Sequence, residues 1–385
     1  MISELNENSR YLLEIIASVL NGSPAPSPEG HDLEKLFVAA GKHRLTSIVY
    51  HGIYRQGLSE EELEPFVKVQ RLEMRQSVLK DVEFARVSAA LEGLGIEYCP
   101  LKGRQTSELY PDPTMRIMGD TDILFHDEDS EAVRAMMEGM GYVTLRFREE
   151  DDDVYRRGEL LYEYHRELDK DGLGNPDFYN DPWRLTEPVS GNCRRLRDED
   201  AYLYTVAHSM KHFMNLGTGL RSLIDVYQYL NTKRLDRDYI ERTAREMGIE
   251  KFLGCMERLA MGAFGGAELD EADTAVLRFM LESGIAGTSD NYEAAKLLRA
   301  SGKSEVSKGK YFLRLLFPTV KAMKKRDPVL KKAPVLLPFF YVRRWFQLIF
   351  SRRDRVADGL EMFGSVEKSD AEKLRDIYET AGIHR

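Results

Sequence analysis

Cysteine is scarce in this chain: three in 385 residues, Cys99, Cys193 and Cys255, odd in number and far apart. Such usage excludes a disulfide framework and supplies no metal-ligand spacing, so a reducing cytoplasm is the expected setting. Membrane-length apolar runs are missing as well. The uninterrupted apolar stretch near the C-terminal end, Val335 to Val342, contains Pro338 and falls far short of the roughly twenty residues a helix needs to cross a bilayer. The opening residues Met1-Ile-Ser-Glu-Leu-Asn-Glu-Asn carry acids and no basic stretch ahead of an apolar run, so no secretion signal is expected. An overall basic balance is absent too, the net charge being -9. The deficit is uneven. Residues 308–355 hold fourteen Lys and Arg against two acids, Asp327 and Asp354, so this segment is +12 on an otherwise acidic body. It could make weak contact with an anionic surface, or lie on the acidic remainder of the chain. Regular aromatic interleaving and an RNA-binding motif are both lacking there.

What is present is a core of ample size, since 43% of residues are hydrophobic. Residues 1–92 read as an N-terminal helical region. Tyr11, Leu12, Ile15, Ile16, Val19 and Leu20 recur at helical spacing, and Ser59 followed three positions later by Glu62 matches a capping box. Gly93 and Gly95 end the run. Residues 93–190 then read as an α+β core: a strand at 96–101, a turn at Lys102-Gly103, a short helix, a strand at 120–125, a helix at 130–140 and strands at 142–147 and 159–168. The last two are expected to pair as a hairpin across an acidic loop at 149–153, and 172–191 reads as a connector. Helices return over 191–300, and 301–385 is a basic helical tail. In that tail, Arg343, Arg344 and Gln347 fall on one side of a helix whose other faces are apolar. Apolar faces usually bury internally, so docking on the protein's own core is the expectation and an interfacial amphipathic helix the alternative.

The chemistry concentrates in 99–125. Side chains two apart on a strand share a face, so Asp120 and Asp122 point together, away from Thr121, Ile123 and Phe125. On the fourth strand Glu163 and His165 share a face. Three carboxylates from two strands suffice for a two-metal site, and hard oxygen ligands favour Mg2+ or Mn2+ over zinc. His165 could orient a carboxylate or the substrate. His208 and His212 have the spacing of metal ligands on one helix, but no further ligand is evident. Arg221 and Asp225 are placed for an ordinary helical pair.

The run Pro100-Leu-Lys-Gly103, Leu109-Tyr-Pro-Asp-Pro113, Arg116 and Gly119-Asp-Thr-Asp-Ile-Leu124, followed by Glu163-Tyr-His165, resembles the uncharacterised nucleotidyltransferase family of the polymerase-β-like superfamily. Looser similarity extends to His43-Arg-Leu, to Ala207–His212, to Leu220–Asp225 and to the tail. The resemblance implies a small mixed sheet flanked by helical regions. It also implies Mg2+- or Mn2+-dependent transfer of a nucleoside monophosphate from an NTP to an acceptor hydroxyl. Asp120, Asp122 and Glu163 become the catalytic and metal-binding acids. Gly103 becomes the glycine at the helix start where the triphosphate approaches, and Lys102 and Arg116 become phosphate contacts, a salt bridge anchoring the loop to an acid being the other reading of Arg116. The chain departs from the broader superfamily in having Lys102-Gly103-Arg104 where Gly-Gly or Gly-Ser is usual, with a longer gap to the acids. The acceptor stays open among small molecule, saccharide, protein and RNA. A catalytically silent, antitoxin-like binding partner and a glycosyltransferase using Asp-X-Asp with Mn2+ are the alternatives.

Overall fold

The computed structural model describes residues 5–149, 151–168, 173–215, 217–285, 294–295, 297–298, 317–320, 323, 327, 329–350 and 368–383. The chain forms two compact units, Met1–Phe213 with Thr218–Ala286, and Met214–Gly217 with Gly287–Arg385. Most of the helix expected over 311–323, and of the basic turn that follows it, lies outside the described residues.

The first unit opens with helices α1 (Glu7–Asn21), α2 (Leu33–His43), α3 (Thr46–Ile53) and the long α4 (Glu60–Leu94). The capping box forms as its sequence dictates: Ser59 Oγ accepts from the Glu62 amide, and the Glu62 carboxylate accepts from the Ser59 amide at 2.8 Å. Gly95 ends α4 in the left-handed region at φ 70°, which costs glycine nothing.

Among the described residues seven strands follow: β1 (Tyr98–Pro100), β2 (Thr121–Phe125), β3 (Val143–Arg146), β4 (Asp152–Arg157), β5 (Leu160–His165), β6 (Thr186–Ser190) and β7 (Cys193–Leu196). They make one mixed sheet in the order β3-β4-β5-β2-β1-β7-β6, with helices flanking it, an α+β architecture. The pairs β2·β5 and β1·β7 are parallel and the rest antiparallel. One face of the sheet is apolar and aromatic. Ile123 and Phe125 of β2 and Tyr162 and Tyr164 of β5 pack with Val87 and Leu91 of α4 and with Val133 and Met137 of α6 (Ser130–Gly139). The period of two then forces Asp122, Glu163 and His165 onto the opposite face.

Three expectations are corrected. The strands at 142–147 and 159–168 do not pair with each other, because β4 lies between them and pairs with both. The acidic run is accordingly not a solvated loop throughout. Asp152 is buried and binds Arg146 at 2.5 Å, and the fully buried Asp153 accepts from Arg166 at 2.5 Å and from the Arg148 amide at 2.7 Å. Charge pairing across the ladder lets acids occupy an inner strand that composition alone reads as loop. The connector at 172–191 also holds more order than expected, since its end forms β6, which pairs with β7.

Helices α7 (Asp198–Asn215), α8 (Leu220–Thr232), α9 (Arg237–Met247), α10 (Glu250–Phe264) and α11 (Glu271–Ser283) follow. His43 joins three of the first unit's helices. Its Nδ1 accepts from the Leu220 amide at 3.2 Å, so Nε2–H donates to the Leu281 carbonyl at 3.2 Å. Burial pushes its pKa down to about 4 from 6.5. The neutral form is the one that fits, so its contribution is complete above pH 6.5 and is lost as pH falls towards 4. Denaturant titrations of wild type and His43→Gln should show the wild-type advantage shrinking over that interval by up to ~3 kcal/mol, at 1.36 kcal/mol per pKa unit.

Candidate functional site

The site is assembled on β2 and β5 because those strands run parallel in a register that pairs Asp122 with Glu163 and Leu124 with His165. His165 Nε2–H donates to Asp122 Oδ1 at 2.7 Å, and its distance to Glu163 Oε2 is 3.8 Å. Lys102 Nζ approaches the same Asp122 oxygen at 3.3 Å. Burial acts to raise the Asp122 pKa, but the Lys102 ammonium and the His165 hydrogen bond outweigh it and hold the carboxyl well below the usual range. Asp122 is therefore ionised at any working pH. Glu163 moves the other way: partial burial, then the charges of Asp122 and Asp120, push its pKa up.

Asp120 lies just before β2 rather than in it and is partly exposed. Its charge is felt by Glu163 and by Lys80 of α4. Lys80 donates to the carbonyls of Met118 and, at 2.9 Å, Gly119. It thereby ties the peptide ahead of Asp120 to α4, a role that the surface-like pattern of α4 conceals.

At the other end, β1 delivers the chain to Lys102, whose φ of 45° and ψ of -108° lie in a region that side chains avoid. The short helix α5 (Gly103–Ser107) begins at the next residue. A Cβ on Gly103 would meet Arg116 Nη1 at 2.8 Å and Met118 Sδ at 2.9 Å, so glycine there admits the Arg116 guanidinium beneath the turn. Arg116 is itself buried and bidentate to Asp225, Nε to Oδ1 and Nη2 to Oδ2, both at 2.8 Å, and Tyr110 Oη donates to the same carboxylate at 2.6 Å. The pair expected between Arg221 and Asp225 is thus replaced by a longer-range one, and Arg221 donates to the Ile117 carbonyl at 2.9 Å. Burial, then Arg116, pull the Arg221 pKa down to about 10.

Strain at Lys102 gives a separable expectation. Lys102→Gly and Lys102→Ala both remove the ammonium, but only glycine relaxes the backbone, so Lys102→Gly should be the more stable of the two by about 1 kcal/mol in urea unfolding.

Helix α7 brings Tyr204 and His208 to the lysine, with Lys102 Nζ 5.9 Å from the Tyr204 ring centre. His208 and His212 meet Nε2 to Nε2 at 2.8 Å. Burial, followed by the Lys102 and His212 charges, pushes the His208 pKa well down, so it sits there as a neutral imidazole. Beside Gly119, a cavity of about 320 Å3 is lined by Arg44, Glu73, Gln76, Lys80 and Glu159 among apolar side chains. Glu73 Oε2 is buried there without a hydrogen-bond partner, and burial pushes the Glu73 pKa up to about 7.

Among the described residues, Asp122, Glu163 and His165 offer ligand atoms all within 4.8 Å of one another. Two carboxylates and one imidazole around that spacing fit a divalent cation, with Mg2+ and Mn2+ suited to the oxygens. Asp120 stands outside that group.

The family model described as uncharacterised nucleotidyltransferase matches residues 29–265, a span that contains every residue of this site. No curated protein matches, and no solved structure matches.

Proposed function

We propose that this chain, which belongs to the uncharacterised nucleotidyltransferase family, moves a nucleoside monophosphate from an NTP to an acceptor hydroxyl. The bond from the acceptor oxygen to the α-phosphorus forms, the bond to the β-phosphate bridge breaks, and pyrophosphate leaves while the hydroxyl gives up its proton. The carrying observation is the β2·β5 register that sets Asp122 beside Glu163 with His165 on the same face.

Asp122 and Glu163, with Asp120 at the end of the row, are the residues that would hold divalent cations. Bound there, Mg2+ or Mn2+ would neutralise phosphate charge and lower the pKa of the attacking hydroxyl. His165 keeps Asp122 oriented and ionised. Lys102, whose ammonium lies 3.3 Å from Asp122, supplies positive charge for the triphosphate, as a lysine does for phosphates elsewhere. Arg116 supports that turn from beneath through Gly103 and Asp225, and we assign it to positioning rather than to phosphate contact. An in-line displacement needs the acceptor opposite the departing pyrophosphate.

The reading is tested by following pyrophosphate release with each of the four NTPs in Mg2+ and in Mn2+. Release from at least one NTP supports it. Turnover of a UDP-sugar with none from any NTP would move the site to glycosyl transfer. Neither turnover nor NTP binding would leave the silent binding-partner reading.

A further inference from the structure

The second unit carries a surface that the transfer chemistry does not use. A turn at Pro334–Leu336 leads into a helix at Leu337–Phe350. One stripe of this helix is engaged within its own unit. Tyr341 and Trp345 set their rings 5.7 and 5.2 Å from that of Phe317, and Tyr341 Oη donates to the Pro318 carbonyl at 2.6 Å. Roughly a third of a turn around lies another stripe. Phe339 and Val342 are 64% and 44% exposed, Val335 in the preceding turn is 83% exposed, and Phe346 continues the row at 59%. The spacing 339, 342, 346 keeps these side chains on one face. Among the described residues Tyr341 and Trp345 are engaged within their own unit as the expectation of internal docking requires, Phe339 and Val342 are exposed, and the side chains of residues 347–350 lie outside the described residues.

Large apolar side chains left in water along one helix face mark an interaction surface. The charge of the segment they belong to points to the partner. Arg343 flanks the stripe, one helical position on from Val342, and in sequence the segment 308–355 carries fourteen Lys and Arg against two acids, most of them outside the described residues. Of those acids Asp327 lies 3.6 Å from Arg343. A nucleic acid would match the charge and stack on Phe but has no use for exposed Val335 and Val342, whereas a protein groove would match the row but does not require +12. An anionic bilayer matches both. Apolar side chains enter the boundary between headgroups and acyl chains, while Lys and Arg stay among the anionic headgroups.

We propose that the face formed by Val335, Phe339, Val342 and Phe346 docks the protein on the surface of an anionic phospholipid bilayer, lying in its plane without crossing it. No helix among the described residues is long and apolar enough to cross a membrane.

The test is vesicle flotation of the full chain, with phosphatidylcholine vesicles and with vesicles that also contain phosphatidylglycerol. Co-flotation with the anionic vesicles alone, weakened by added salt, is expected. Phe339→Glu with Val342→Glu should lower the floated fraction about tenfold or more, as charge on a buried apolar face opposes entry. Both sites are exposed, so circular dichroism and the melting temperature should match wild type. Absence of flotation on the anionic vesicles overturns the proposal, and so does flotation that the double substitution leaves unchanged. Self-association in gel filtration that the double substitution abolishes, with no vesicle binding, assigns the face to a second copy of the chain and also overturns it. NTP turnover plays no part in the readout.

Discussion

Asp122→Asn is expected to lower NTP-dependent pyrophosphate release by at least about a thousandfold, comparable to removal of a principal electrostatic group from an active site. Asparagine keeps the shape and one acceptor oxygen, so His165 and Lys102 retain a partner and the fold should survive. What disappears is the charge, and Asp122 is the carboxylate on which the site converges. His165 at 2.7 Å and Lys102 at 3.3 Å both address its Oδ1, and Glu163 stands opposite in register. Glu163→Gln should belong to the same class. His165→Gln should cost only about ten- to a hundredfold, because it acts through the orientation of a ligand. An Asp122→Asn protein with unchanged melting and near-normal release would remove Asp122 from the chemistry.

The largest effect on stability is expected at Asp225. Asp225→Ala leaves the Arg116 guanidinium buried without its counter-charge and strips Tyr110 of its acceptor, which should cost about 3–5 kcal/mol in denaturant unfolding. Burial acts to depress the Arg116 pKa, and Asp225 more than reverses that, so the arginine stays charged and pays in full when the carboxylate goes. Replacing both partners by apolar residues, Arg116→Met with Asp225→Leu, should recover much of the loss, since no buried charge then remains. That variant should still transfer poorly, because Gly103 and the Lys102 turn rest on Arg116. A double variant as unstable as Asp225→Ala would show that the network is needed for something other than charge balance.

The shared face of Asp122, Glu163 and His165 was readable because the alternation along two strands decides it, whereas Asp120, expected on the same strand, lies just before it. Asp122 follows Thr121 and precedes Ile123, so the apolar residues that must face α4 force the carboxylate outward, and Tyr162 and Tyr164 do the same for Glu163 and His165. The Ser59–Glu62 box was likewise local and complete in four residues. Features that depend on distant partners were not readable. Asp225 looked like a partner for Arg221 four positions away and instead meets Arg116, which is 109 residues distant. Strand β4 hid behind Asp152 and Asp153, whose arginine partners come from neighbouring strands and loops. Lys80 and Glu73 sit on a long helix with many exposed apolar and charged side chains, and only the fold reveals that one closes over Gly119 and the other faces the cavity beside it. The spacing of His208 and His212 was visible, but the approach of His208 to Lys102 was not, because the sheet and α7 are brought together by tertiary packing.

The central claim is that the β2·β5 carboxylates hold divalent cation for nucleotidyl transfer. The most direct measurement is a calorimetric titration of Mn2+ into wild type and into Asp120→Ala with Asp122→Ala, each with a nonhydrolysable NTP present. The account predicts Mn2+ binding by wild type and its loss in the double variant, with the NTP heat falling alongside. Equal Mn2+ and NTP binding by the two proteins would contradict it.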